Sequence, residues 1–207
     1  MTLKKASILA FAVLLLDQIS KFYIKTNFTL HESVHVFGLD WFQIYFIENE
    51  GMAWGTKIPG DYGKLILTLF RIVAVFGITY WLWDSCRKKA SKYLIIAIAL
   101  ILAGAFGNII DSVFYGVIFD HSNGQVATLF SEQPYGTWFH GKVVDMIYFP
   151  LFEGYLPDWL PILGGKFFRF FNAVFNIADT AISTGVGILI VFNKKAFPPK
   201  KEEFIEE

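Results

Sequence analysis

The chain has 207 residues, of which 55% are hydrophobic, 18% aromatic and only 17% charged. Soluble domains run at about 45–50% apolar and about 25% charged, so this composition excludes an ordinary soluble enzyme and indicates a membrane protein. Eighteen Lys and Arg balance eighteen Asp and Glu, which argues against a nucleic-acid binder, since that needs a basic stripe. The single cysteine, Cys86, excludes an internal disulfide framework and a thiolate zinc cluster.

A membrane-crossing helix needs about 20 mostly apolar residues. The first such segment runs over 6–23. Lys4 and Lys5 ahead of an apolar run give it the look of a signal peptide. No small-x-small cleavage site follows, and the apolar character resumes at Phe22 after Asp17-Gln18-Ile19-Ser20-Lys21, so a retained helix is expected. Asp17 and Lys21 stand four apart on one face and can pair, which gives them a structural role in anchoring this helix. The following segment holds Val34–Phe37 and Trp41–Ile47, β-branched and aromatic runs that predict short strands. His31 and His35 are four apart, but in strand-like sequence that spacing does not build a helix-borne metal site, and no metal is expected.

The second span is predicted over 64–83 and the third over 93–110. Ala99, Ala103 and Gly107 share a face of the third helix, a spacing that lets backbones approach in lipid. Beyond Asp111, the stretch 119–140 is rich in turn residues, including His121-Ser122-Asn123-Gly124 and Ser131-Glu132-Gln133-Pro134-Tyr135-Gly136, and reads as a solvated inserted loop. The aromatic runs after Asp145, through Phe167-Phe168-Arg169-Phe170-Phe171, are expected at the lipid–water interface. The fourth span is predicted over 175–192, with Asp179 near its outer end and Ala181 and Gly185 on one face.

Orientation follows from short-loop Lys and Arg. Lys4 and Lys5, then Arg87, Lys88, Lys89 and Lys92, then Lys194, Lys195, Lys200 and Lys201 all fall on one side if there are four spans. Both termini are then cytoplasmic. Ionisable residues in or at the edge of spans are expensive and point to function; here they are Asp17, Arg71, Asp111, Asp145 and Asp179. Topology puts Asp145 and Asp179 at the outer boundary. Two carboxylates sharing a proton can activate a water and polarise a carbonyl, although nothing local in the sequence brings positions 145 and 179 together. No His-Glu-x-x-His, Gly-x-Ser-x-Gly or phosphate-loop motif occurs.

Five short blocks occur in order: Asp17-Gln18-x-x-Lys21, Asn49-x-Gly51-x-Ala53-Trp54-Gly55, Gly104-Ala105-Phe106-Gly107-Asn108-x-x-Asp111, Val143-Val144-Asp145 and Phe175-Asn176-x-Ala178-Asp179. Together they resemble the lipoprotein signal peptidase (signal peptidase II) family of aspartic peptidases, over nearly the whole chain. The resemblance implies that Asp145 and Asp179 are the catalytic dyad. It also implies that Asn49, Asn108 and Asn176 are polar residues that position the substrate backbone. Gly51, Asp111 and Ala178 join the binding and support set, and Gly104 and Gly107 serve close helix packing.

Two features depart from the family pattern. Ser112 stands where the family has Arg after the third-block Asp, and Arg71 of the second span is the expected replacement. The Gly-x-Val-x-Asp pattern occurs twice, ending at Asp120 and at Asp145. Asp145 is preferred because an apolar stretch follows it toward the fourth helix, whereas a polar loop follows Asp120.

The expectation is therefore an all-α membrane protein, a single peptidase domain over 1–207. It has four transmembrane helices, a small extracytoplasmic β-like element and interfacial segments. The resemblance places it in the bacterial inner membrane, with its site near the outer face, cutting prolipoproteins before the diacylglyceryl-modified cysteine. Membrane phospholipids surround it; a monomer is expected, with no cofactor and no nucleic acid. The rival reading is a small ion- or proton-coupled transporter. A relay distributes ionisable groups through the membrane depth, whereas here the acids cluster at the outer ends.

Overall fold

The computed structural model describes residues 1–50 and 62–199. Its helices are α1 (Leu3–Lys25), α2 (Gly63–Arg87), α3 (Lys92–Ile110), α4 (Gly116–Ile118), α5 (Ile177–Val191) and α6 (Asn193–Ala196). A π-helical turn, Asp111–Tyr115, joins α3 to α4. Three stretches are long and apolar enough to cross a membrane: α1, α2 and the continuous helical run Lys92–Ile118. The fourth predicted span is shorter than expected. Its first residue, Phe175, ends a strand, Asn176 follows outside any element, and α5 has 15 residues, about 22 Å of helix.

The chain divides into two compact units. The first contains residues 1–17, 69–107 and 177–199. Its core is Ala6, Leu82, Leu94, Ile95, Ile98, Ala99 and Ala196. α2 turns Phe70, Val73, Phe76 and Tyr80 outward, a helical stripe of apolar side chains facing away from the protein, as lipid requires. The predicted small-residue faces are buried. A Cβ on Gly104 would collide with the Ala178 carbonyl, and one on Gly185 would lie 2.7 Å from the Ala97 carbonyl oxygen. Glycine is therefore what lets α3 and α5 pack backbone to backbone.

The second unit contains residues 18–50, 62–68 and 108–176. An antiparallel sheet of order β1-β2-β3-β6 organises it, from β1 (Ser33–His35), β2 (Gln43–Asn49), β3 (Val143–Tyr148) and β6 (Val174–Phe175). β1 and β2 fall on the two predicted strand runs. β3 and β6 fall in sequence read as interfacial. The β2–β3 register shifts between Ile44 and Ile47, leaving Ile47 opposite Asp145. Such a bulge bends the strand locally. Under the sheet lie Ile24, Phe46, Tyr115, Phe119, Ala127, Val144 and Met146. Phe42, Phe149, Phe175 and Phe171 form a row of ring contacts 4.9–6.1 Å apart. A separate two-stranded hairpin pairs β4 (Phe152–Tyr155) with β5 (Phe167–Phe170).

The stretch 119–140, expected as a solvated loop, is exposed over most of its length and buried at a few positions. Its tip, residues 123–126, is exposed, but Phe119, Ser122 and Ala127 are buried. Its backbone is knit to the helical segment that precedes it. Phe130, Tyr135, Gly136, Phe139 and Gly141 donate N–H bonds to the carbonyls of Ile118, Phe119, Gly116, Val113 and Ser112. A helix end leaves such carbonyls without intrahelical partners, and here the insertion supplies them.

Candidate active site

In the second unit, β3 carries Asp145 into the interior. Asn176, just ahead of α5, donates from Nδ2 to Asp145 Oδ1 at 2.7 Å, and Asn49 at the end of β2 donates to Oδ2. Both carboxylate oxygens are thus held by side-chain amides. The same Asn176 Nδ2 lies 3.1 Å from Asn108 Oδ1 and 3.2 Å from the Val144 carbonyl.

Asp111, at the start of the π turn, forms a second layer. It pairs with Lys21 Nζ at 2.8 Å, both side chains fully buried. It also accepts from Gln18 Nε2 at 3.0 Å and from the Val144 backbone N–H at 3.3 Å. Lys21 donates in addition to Asn108 Oδ1 at 2.8 Å. A buried charge is tolerated when it is paired and hydrogen-bonded, and this network ties α1, α3 and β3 together one residue from Asp145. Gly141 permits the approach: a Cβ there would strike the Asp111 carbonyl. Ser112 turns back to the Asn108 carbonyl at 2.9 Å.

In the first unit, Asp17 Oδ1 accepts the Ala178 N–H at 2.9 Å. A carboxylate is favourable at a helix N-terminus, where backbone donors are free, and this one fixes the first turn of α5. A Cβ on Gly107 would collide with that Asp17 carboxylate. Asp179 sits in the same first turn, half-buried. Arg71 of α2 interacts electrostatically with it.

The sequence-predicted residues therefore fall into two groups. Asn49, Asn108, Asp111, Asp145, Asn176 and Lys21 are gathered in one unit. Asp17, Arg71, Ala178 and Asp179 belong to the other. Gly51, with Ala53, Trp54 and Gly55 of the same block, lies outside the described residues. Asp120 is engaged elsewhere, accepting the Thr128 N–H at 2.7 Å within the insertion.

One cluster was missed by sequence reasoning. Lys25 pairs with Glu48 and donates to Ser122 Oγ at 2.8 Å, with Lys25 and Ser122 buried. Its ammonium also lies 4.8 Å from the Tyr135 ring centroid. Burial pushes the Tyr135 phenol well above its ordinary range, and its oxygen accepts the Lys142 N–H at 2.7 Å. The available signal was the i, i+4 series Asp17, Lys21, Lys25, one polar stripe on an apolar helix.

Apolar helices with outward-facing hydrophobic stripes, together with a buried acid–amide site, define a multi-pass membrane enzyme. The signal peptidase (SPase) II family model matches residues 9–194. The lipoprotein signal peptidase of Porphyromonas gingivalis is 50% identical over 190 residues, covering 91% of this chain and 82% of that one. That of Amoebophilus asiaticus is 37% identical over 194 residues, covering 91% and 76%. A bacterial membrane enzyme solved by the in meso method at 2.3 Å resolution superposes with a TM-score of 0.60 at 25% identity, over 97% of this chain and 94% of that one. The chain belongs to the signal peptidase II family and is a membrane-embedded protease of that type. The transporter reading finds no support in these matches.

Proposed function

We propose that the protein is an aspartic endopeptidase whose dyad is Asp145 and Asp179, acting on prolipoproteins just before the diacylglyceryl-modified cysteine. The observation that carries this reading is the amide clamp on both oxygens of Asp145. Two side-chain amides fix the orientation of that carboxylate in the interior of the unit.

In the proposed reaction the two carboxyl groups share one proton. The ionised group takes a proton from water as its oxygen bonds to the scissile carbonyl carbon, and the protonated group donates to the carbonyl oxygen. Collapse of the tetrahedral intermediate breaks the C–N bond, and the amine leaves with a proton returned by the dyad. The amides of Asn49, Asn108 and Asn176 offer both donors and acceptors for orienting the substrate backbone. Arg71 supplies the positive charge that the family places at the position of Ser112.

The same proposal sets the protein in the bacterial inner membrane as one peptidase domain with four spans, α5 being the fourth. The basic clusters put both termini in the cytoplasm and the site near the outer face. Water reaches a shallow dyad there while the substrate's acyl chains remain in lipid.

The test is a gel-shift cleavage assay on a diacylglyceryl-modified prolipoprotein, with the wild type compared with Asp120→Asn, Asp145→Asn and Asp179→Asn. Cleavage lost only in the latter two, with both variants folded, is the expected result. Loss in Asp120→Asn with activity in Asp145→Asn would overturn the dyad assignment.

A further inference from the structure

The β4–β5 hairpin contributes none of the residues of the proposed site. Its tip is ordered by backbone hydrogen bonds. Leu156 donates to the Lys166 carbonyl at 2.9 Å, and Gly165 donates to the Leu156 carbonyl at 3.0 Å. This ordered tip displays Tyr155 at 75% exposure, Trp159 at 78% and Ile162 at 89%. Large apolar side chains this exposed and this close in sequence call for a partner phase.

Two further observations identify that phase. First, Phe167 and Phe168 are consecutive residues of β5, and both are exposed. Consecutive strand residues point to opposite faces, so the hairpin shows an exposed phenylalanine on each face, with Glu153 opposite Arg169 in the register. A protein partner covers one face of a two-stranded ribbon; a fluid hydrocarbon phase surrounds both. Second, Ile162 is held at φ 70. A β-branched residue in the left-handed region is strained, and at this exposure no protein packing offsets the cost. Burial of its side chain in acyl chains would.

We infer that the tip of this hairpin, residues 156–166, is seated in the bilayer as a lipid-inserted anchor. The occupant is phospholipid because a multi-pass protein always has a bilayer beside it. The composition also fits an interfacial segment: Trp and Tyr occupy the headgroup level, apolar Ile162 and Leu163 reach deeper, and Lys166 extends its charge back to water. In sequence the hairpin precedes the apolar helix α5 by six residues. The inference rests on membrane embedding alone and is independent of the dyad.

The experiment uses the full chain in phosphatidylcholine nanodiscs. Cys86 is replaced (Cys86→Ser), and a nitroxide is attached at Ile162→Cys, or at Gln125→Cys in the exposed tip of the insertion as an aqueous comparison. Power saturation measures accessibility to oxygen, which concentrates in lipid, and to a nickel chelate, which stays in water. Oxygen accessibility exceeding nickel accessibility at 162, with the reverse at 125, is the expected result. Nickel exceeding oxygen at 162 would overturn the inference by showing a solvated tip. Low accessibility to both would overturn it in favour of a protein partner or a second copy. The readout does not depend on cleavage, so a failure of the dyad assignment leaves it intact.

Discussion

Asn176 places its side-chain amide 2.7 Å from one oxygen of Asp145 while standing one residue ahead of α5, the helix that carries Asp179. A single amide therefore ties the sheet carboxylate to the segment just ahead of α5. Removing one preorganised donor from a site where charge develops costs about 100- to 1,000-fold in kcat. Asn176→Ala is expected to lower kcat by about 100-fold and, because buried acceptors lose their amide donor, to lower the thermal unfolding midpoint in detergent as well. The gel-shift assay at saturating substrate measures it, and an unchanged kcat would contradict the positioning role.

The Lys21–Asp111 pair is fully buried. Deleting one partner strands the other charge in the interior, at a cost of about 3–5 kcal/mol. Lys21→Met is expected to destabilise by that order, and the double variant Lys21→Met, Asp111→Leu by less than either single change. Thermal unfolding of the four proteins closes the cycle. A loss in the double variant equal to the sum of the two single losses would show that no such coupling exists.

Gly141 opens the Gly-Lys-Val-Val-Asp run, and its role is spatial. The chain entering β3 passes so close to the Asp111 carbonyl that a methyl group has no room. Overpacking of this kind costs about 1–3 kcal/mol, and here it displaces a strand whose fifth residue in the run is Asp145. Gly141→Ala is expected to reduce both stability and cleavage. Gly124→Ala, in the exposed tip where nothing lies within 4 Å, is the comparison. Its positive φ makes it a strained substitution too, yet cleavage should persist.

The apolar length of α1, α2 and α3 made them legible, because helices bathed in lipid need only length and hydrophobicity. The site blocks were legible as motifs, and the structure gives them reasons: Asp17 secures the Ala178 N–H, and Gly104 admits the Ala178 carbonyl. Three things were hidden. β3 and β6 lie in aromatic sequence whose two-residue period is masked, because the residues on both faces are apolar. The π turn over Asp111–Tyr115 depends on tertiary partners, since its carbonyls are met by residues up to 29 positions away, as Gly141 meets Ser112. The exposure of 119–140 was legible in its composition, but its backbone hydrogen bonds to Ile118, Gly116 and Val113 were not.

Arg71 and Asp179 interact across α2 and α5. A charged guanidinium within a span is retained at a cost, and here its counterpart is Asp179, the second carboxylate of the proposed dyad. Arg71→Leu is expected to depress cleavage by at least about tenfold, equivalent to about 1.4 kcal/mol of lost transition-state stabilisation, with Arg71→Lys recovering part of it. A purely structural arginine would lose stability in Arg71→Leu without this graded return of kcat. Full activity and normal stability in the leucine variant would remove the assignment.

The insertion is anchored at its base and free at its tip, so its two parts should respond differently to mutation. Ser122 is buried between Lys25 and Glu48. Ser122→Ala removes one hydrogen bond to a charged group and is expected to cost about 1.5–3 kcal/mol. Glu48→Gln leaves Lys25 buried without its carboxylate and is expected to cost more, on the order of 3–5 kcal/mol. Glu48 is also paired across the sheet with Val144, next to Asp145, and immediately precedes Asn49. Loss of its charge should therefore loosen the amide clamp and lower cleavage as well as stability. Shortening 123–126 to Gly-Gly touches only exposed backbone and should leave both unchanged. Thermal unfolding and cleavage measured in parallel on the three variants check this. A tip deletion as harmful as Glu48→Gln would show instead that the exposed end of the insertion, not its buried base, is what the protein depends on.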